Sequence, residues 1–138
     1  MDNILIGKTI TGLRITDDKI ALLFNTEDGD VKASCDADCC SFTWIEHIEL
    51  PALGFPAKVM AVEDLEMPDL GDMPECEVVA YYGLKITTSK GEVIIDYRND
   101  SNGDYGGSLL WPKDMNFHDG VYGQNVSREI WIEVNSDI

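Results

Sequence analysis

The chain has 138 residues, with 26 acidic side chains against 10 basic ones and a net charge of −16. That length suits one ordinary domain able to bury about two-thirds of its unfolded surface, and a 44% apolar content argues against wholesale disorder. The negative field disfavours direct binding to nucleic acid or to anionic membrane, but permits high solubility, cation binding and attraction to basic protein surfaces.

The opening segment, MDNILIGKTI, has no basic region and no apolar run of signal-peptide or membrane length. A cytoplasmic protein with reduced thiols is therefore expected. Lys8 to Thr16 alternates, with Ile10, Leu13 and Ile15 against Thr9, Thr11 and Arg14, and Gly12 marks a bulge or a close approach. Asp17-Asp18 signals a turn, and Lys19 to Thr26 reads as a second strand carrying Ile20, Leu22 and Phe24 on one face. Asp28-Gly29 reads as the central pair of a tight hairpin turn leading into a strand from Val31 to Cys35.

Ser41 to Glu49 sets Phe42, Trp44 and Glu46 against Thr43, Ile45 and His47, a strand poorly buried on either face. Pro51 to Gly54 can close one helical turn. Ala57 to Leu65 alternates through Val59, Ala61 and Glu63 opposite Lys58, Met60 and Val62, and Pro68 to Cys76 reads as an exposed loop. The centre of the chain is Glu77 to Trp111, read as two long strands about a turn at Ser89-Lys90-Gly91, a glycine-rich loop and a further strand. Pro112 to Asn125 lacks any period and reads as loop, and Ser127 to Asn135 ends the pattern as a strand. The whole predicts a mainly β, single-domain sandwich or partly open barrel spanning residues 1–138, with about eight short antiparallel strands and little helix.

Several site chemistries fail on spacing. Cys39 and Cys40, with Cys35, Asp36, Asp38 and His47 nearby, are zinc-ligand types, but adjacent cysteines do not chelate one tetrahedral ion and no C-x-x-C pair exists. No metal is expected there, and no cofactor. An EF-hand alignment on Gly103 puts Arg98 and Leu109 at ligand positions, which excludes calcium by that motif. A phosphate-cradling loop needs a following Lys and helix, and this loop runs into a strand. His47 and His118 stand in no nucleophile motif, so a binding protein is expected and not an enzyme.

The loop itself offers a ligand-binding set: Tyr97, Arg98, Asn99, Asn102, Tyr105 and Trp111. Gly103, Gly106 and Gly107 free the backbone for close approach, the aromatic rings give flat faces, and Arg98 a rigid donor fork. The plain alternative is a wide hairpin in which Arg98 answers Asp96 and Asp100.

At DADCCSFTWIEHIEL and YYGLKITTSKGEVIIDYRNDSNGDYGG the chain resembles a family of small uncharacterised proteins found mainly in phage and prophage genomes. The matching residues are Asp38, Cys39, Cys40, Ile45, Glu46, Lys90, Gly91, Ser101, Asn102, Gly103 and Tyr105, and Asp104 stands where the family has its first loop tyrosine. The resemblance spans roughly Ile6 to Gly107. It implies a phage-type accessory protein of the host cytoplasm, acting on host machinery or host defence.

Two functions compete. One is capture of a small nucleotide-like signal of host defence in the loop-lined pocket. The other is an acidic interaction protein, a nucleic-acid mimic that blocks a basic host protein, for which the acid-dense stretch Glu63 to Glu77 speaks. Self-association into a homo-oligomer stays open under either.

Overall fold

The computed structural model describes residues 3–37, 42–66, 78–101, 107–111 and 130–138. They form nine strands: β1 (Thr9–Thr16), β2 (Ala21–Thr26), β3 (Gly29–Ala37), β4 (Phe42–Glu49), β5 (Ala57–Glu66), β6 (Val78–Thr88), β7 (Gly91–Ser101), β8 (Gly107–Leu110) and β9 (Trp131–Glu133). No helix occurs among the described residues. The expected loops from Pro68 to Cys76 and from Pro112 to Asn125 lie outside them, as do Cys39 and Cys40.

Every ladder is antiparallel, in the order β4-β7-β6-β5-β1-β2-β3-β8, with β9 added to the far end of β1. The sheet is open: among the described residues no ladder joins its end strands β4 and β8. Its two halves meet at a narrow seam, where Thr9 faces Lys58 and Ile10 faces Ala57. Backbone bonds from Gly7 N to Val59 O (2.9 Å) and from Val59 N to Lys8 O (2.8 Å) lengthen that seam. One hydrophobic cluster draws on both halves, with Leu13, Leu22 and Phe24 from one and Ile48, Ile86 and Ile95 from the other. Burying each such side chain stabilises the fold by about 1.5–3 kcal/mol.

Three strands carry a β-bulge, and each bulge shifts the buried parity by one. In β1 the register slips between Ile10 and Gly12, so the inward residues are Ile10 and then Leu13. This agrees with the expectation at Gly12, where an added Cβ would meet Asn25 Oδ1 at 3.3 Å. The same slip between Ile45 and His47 in β4 places Thr43, Ile45 and Ile48 inside and leaves both Glu46 and His47 outside. The expectation that this strand is poorly buried on both faces is thus corrected: its inner face is fully buried once the bulge is counted. In β5 the slip between Val59 and Ala61 turns Val59 and Val62 inward and exposes Met60 and Ala61, which corrects the simple alternation read there.

Two of the tight turns share one device. Thr26 pairs with Gly29, and Thr88 with Gly91. Each threonine hydroxyl donates to the glycine carbonyl and accepts from the amide two residues on, Asp28 N or Lys90 N, both at 3.2 Å. Gly29 (φ 113°) therefore opens β3, and the central turn residues are Glu27 and Asp28, not Asp28 and Gly29. The arrangement fits a turn closed by a glycine bulge, in which only the glycine needs positive φ. Pro51 to Gly54 is likewise a turn, closed by Gly54 N to Pro51 O at 3.0 Å, and not a helical turn. The last strand is shorter than expected, Trp131–Glu133, with Ile130 and Ile132 both exposed.

Strand β4 lies at the end of the sheet, yet its open edge is occupied. Ile45 N donates to Lys19 O (2.8 Å), Ile48 exchanges both backbone bonds with Ile138, and Leu50 N donates to Asp137 Oδ1 (2.8 Å). These bonds blunt an edge that would otherwise template strand addition.

Candidate functional site

Strand β7 decides where the sequence-predicted residues point, because successive side chains alternate faces. Tyr97 and Asn99 turn inward and are buried, while Arg98 turns outward. Tyr97 stacks on Tyr82 across the strand pair, with centroids 5.2 Å apart and planes 15° apart. Burial, the nearby Asp64, and then Tyr82 and Cys35 push its phenol pKa upward. Asn99 Nδ2 donates to Thr43 Oγ1 (2.9 Å), and that hydroxyl donates on to Asp36 O (2.7 Å). Trp111 is buried in the other half of the sheet, stacked on Phe24 with centroids 5.7 Å apart. Asn102 and Tyr105 lie outside the described residues. Of the expected set, Arg98 alone among the described members reaches the outer face; Tyr97, Asn99 and Trp111 stand inside.

Around Arg98 the outer face holds residues that the sequence reading had not placed in a site. The register sets Trp44 of β4 and Tyr81 of β6 directly opposite Arg98 on either side. The guanidinium carbon lies 4.7 Å from the centre of the Tyr81 ring. Its Nε and Nη2 donate to the two oxygens of Asp96, at 3.4 and 3.1 Å, and Nη1 sits 3.7 Å from Glu46 Oε1. The second oxygen of Glu46 accepts from Trp44 Nε1 at 2.7 Å. Glu46 thus ties the indole and the guanidinium together from the bulge of β4. Phe42, one outward step along, stacks on Trp44 with centroids 6.1 Å apart and planes 20° apart. It is 49% exposed.

Arg98 therefore answers Asp96 and Glu46, not the expected pair Asp96 and Asp100. Hydrogen bonding to Asp96 holds the guanidinium above its ordinary pKa, so it stays charged throughout the accessible range. Asp96 is only 8% exposed despite lying on the outer face. This makes the pair worth more than a surface ion pair. Arg98→Ala is expected to cost about 1.5–3 kcal/mol in urea unfolding, the range for hydrogen bonds to charged groups. Adding Asp96→Ala to that variant should return part of the loss, because the buried carboxylate no longer lacks its cation. A cost near zero for the single variant would reduce the pair to surface decoration.

Other chemistry is sparse. Cys35 is buried, and burial, with Asp18 second, pushes its thiol pKa upward, so it is an inert core thiol. Among the described residues no three His, Cys, Asp or Glu side chains converge as a metal cluster. No helix there is long and apolar enough to cross a membrane. Farther along β6, Lys85 is paired with Glu63 at 3.1 Å. What the outer face offers around Arg98 is a row of aromatic rings and a fixed cation framed by carboxylates. A sequence signal for it existed in F-x-W-x-E, three alternating residues on one strand face, but pairing with β7 is what turns them into one patch.

Residues 3–111 match the family model described as Domain of unknown function (DUF7448). The chain matches no curated protein and no solved structure.

Proposed function

Since the chain belongs to the DUF7448 family, to which no activity is attached, its role has to be argued from its own surface, and we propose that it is a phage-type acidic interaction protein that docks a basic host protein on the outer face of β4, β7 and β6. The observation carrying this reading is the exposed Phe42 ring stacked on half-buried Trp44 beside Glu46 and Asp100, on a chain of net charge −16. Interface cores favour aromatic anchors, and a surrounding negative field steers a basic partner onto them. The phage assignment rests on the Asp38-Cys39-Cys40 and Ser101-Asn102-Gly103 motifs.

Capture of a small nucleotide-like signal, and with it interference with host defence, is the weaker reading. Arg98, the cation meant to hold an anionic group, already spends its donor fork on Asp96 and Glu46. Tyr97 and Trp111 give their ring faces to Tyr82 and Phe24.

The test compares equal losses of charge at two places. A mixed Lys/Arg peptide is titrated into the wild type, into Glu46→Gln/Asp100→Asn on the face, and into Glu27→Gln/Asp30→Asn at the β2–β3 turn. The face variant should weaken binding several-fold more than the turn variant, and all affinities should fall as salt rises. Equal weakening by both variants would leave only a diffuse field and remove the docking face. Micromolar binding of a nucleotide, with no binding of the peptide, would favour the capture reading.

A further inference from the structure

We infer that the outer face is built to receive an arginine side chain of the partner, laid flat on Phe42 and closed by the carboxylate of Asp100. This inference deepens the interaction reading and rests on it. The sheet already holds one guanidinium in this way. In the row Trp44–Arg98–Tyr81, the protein holds its own guanidinium on a tyrosine ring and between two carboxylates, Asp96 and Glu46. The next row outward is Phe42–Asp100, also directly opposed across β4 and β7. There β6 places Val79 where the first row has Tyr81, so the ring comes from Phe42 on β4, and the β7 position that holds arginine in the first row holds aspartate. Directly opposed residues stand about 4.5–5.5 Å apart at Cβ, so a cation stacked on the Phe42 ring lies within reach of Asp100. Both residues are exposed.

Two further observations choose the chemistry. Phe42 and Trp44 stack nearly in parallel, which presents a flat apolar step and not a pocket. A planar, weakly hydrated guanidinium matches that step, whereas a compact, strongly hydrated ammonium does not. The ladder edge of β4 is already bonded at Ile45, Ile48 and Leu50. A partner segment therefore approaches the face through its side chains instead of adding a strand at those positions.

The experiment uses the full chain and two labelled peptides of identical length and charge, one with arginines and one with lysines. Fluorescence anisotropy should show the arginine peptide binding the wild type about two- to thirtyfold more tightly. That gap should close in Phe42→Leu, which keeps the bulk and loses the ring, and in Phe42→Ala. Thermal melts of both variants identify the folded ones to be compared. Equal binding of the two peptides to the wild type overturns the arginine site while leaving the docking face standing. A gap that persists in a folded Phe42 variant also overturns it. Binding of neither peptide overturns the arginine site and the docking face together.

Discussion

Trp111→Ala is expected to lower the unfolding free energy by about 3–5 kcal/mol, the range for removing a buried tryptophan or phenylalanine ring. Trp111 follows directly on β8, the end strand of the sheet, which among the described residues is laddered to β3 alone. Its ring lies against Phe24, which is fully buried. Losing it removes both the apolar area and the anchor that holds the strand to the core. Phe24→Ala should cost a similar amount, and the double variant less than the sum, because each single change already breaks the same stack. Urea unfolding followed by circular dichroism reads all three. A Trp111→Ala protein of near-native stability would mean that the ring is not a core element and would return it to the ligand-stacking role considered from the sequence.

The second large effect is at Gly91, where alanine should cost about 2–4 kcal/mol. Two causes add. Gly91 has φ of 128°, which an L side chain rarely adopts. A Cβ there would also sit 2.9 Å from the backbone nitrogen of Ala52, in the turn that packs on the β6–β7 hairpin. That neighbour is main chain, and Leu53 N is itself bonded to Lys90 O at 3.1 Å, so it has little room to retreat. Gly29→Ala separates the causes. Gly29 has a comparable φ of 113°, but a Cβ there meets nothing within 4 Å, so alanine should cost only about 1 kcal/mol. Equal melting points for the two variants would show that the contact with Ala52 contributes nothing.

The strands were legible because period-two alternation and turn residues are local properties. Ile20, Leu22 and Phe24 face inward as the alternation implies, and the antiparallel all-β architecture follows from many such segments. The errors fall where a strand breaks its own period. Ile45-x-x-Ile48 and Val59-x-x-Val62 repeat the three-residue apolar step of Ile10-x-x-Leu13, yet only the last contains a glycine to flag the bulge. The candidate site was legible in part. Opposite faces for Tyr97 and Arg98 follow from the pleat, and Asp96, two residues back on the same face, was legible as a partner of Arg98, but its other partners were not. Glu46 and Trp44 lie some fifty residues earlier in the chain, and only the β4–β7 register brings them to it. Likewise, nothing local to Trp111 shows that its ring is already taken by Phe24.

The strand order also governs how the chain reaches this state. β1, β2 and β3 pair in sequence order, as do β5, β6 and β7, so each trio can form from near neighbours. The remaining ladders join distant segments: Thr9 to Lys58, Thr43 to Asn99, Ser34 to Leu110, and Ile15 to Ile132. Closing such long loops costs chain entropy before the contacts repay it, which places folding in roughly the millisecond-to-second range of all-β domains. Short loop closure favours the two trios as the first segments to pair, ahead of β4, β8 and β9. Without Asp137 and Ile138, only the bond from Ile45 to Lys19 would cover the β4 edge among the described residues, leaving its second half open to intermolecular pairing. The bonds at Ile48 and Leu50 thus act as a seal, tying Asp137 and Ile138 to the strand edge most in need of cover.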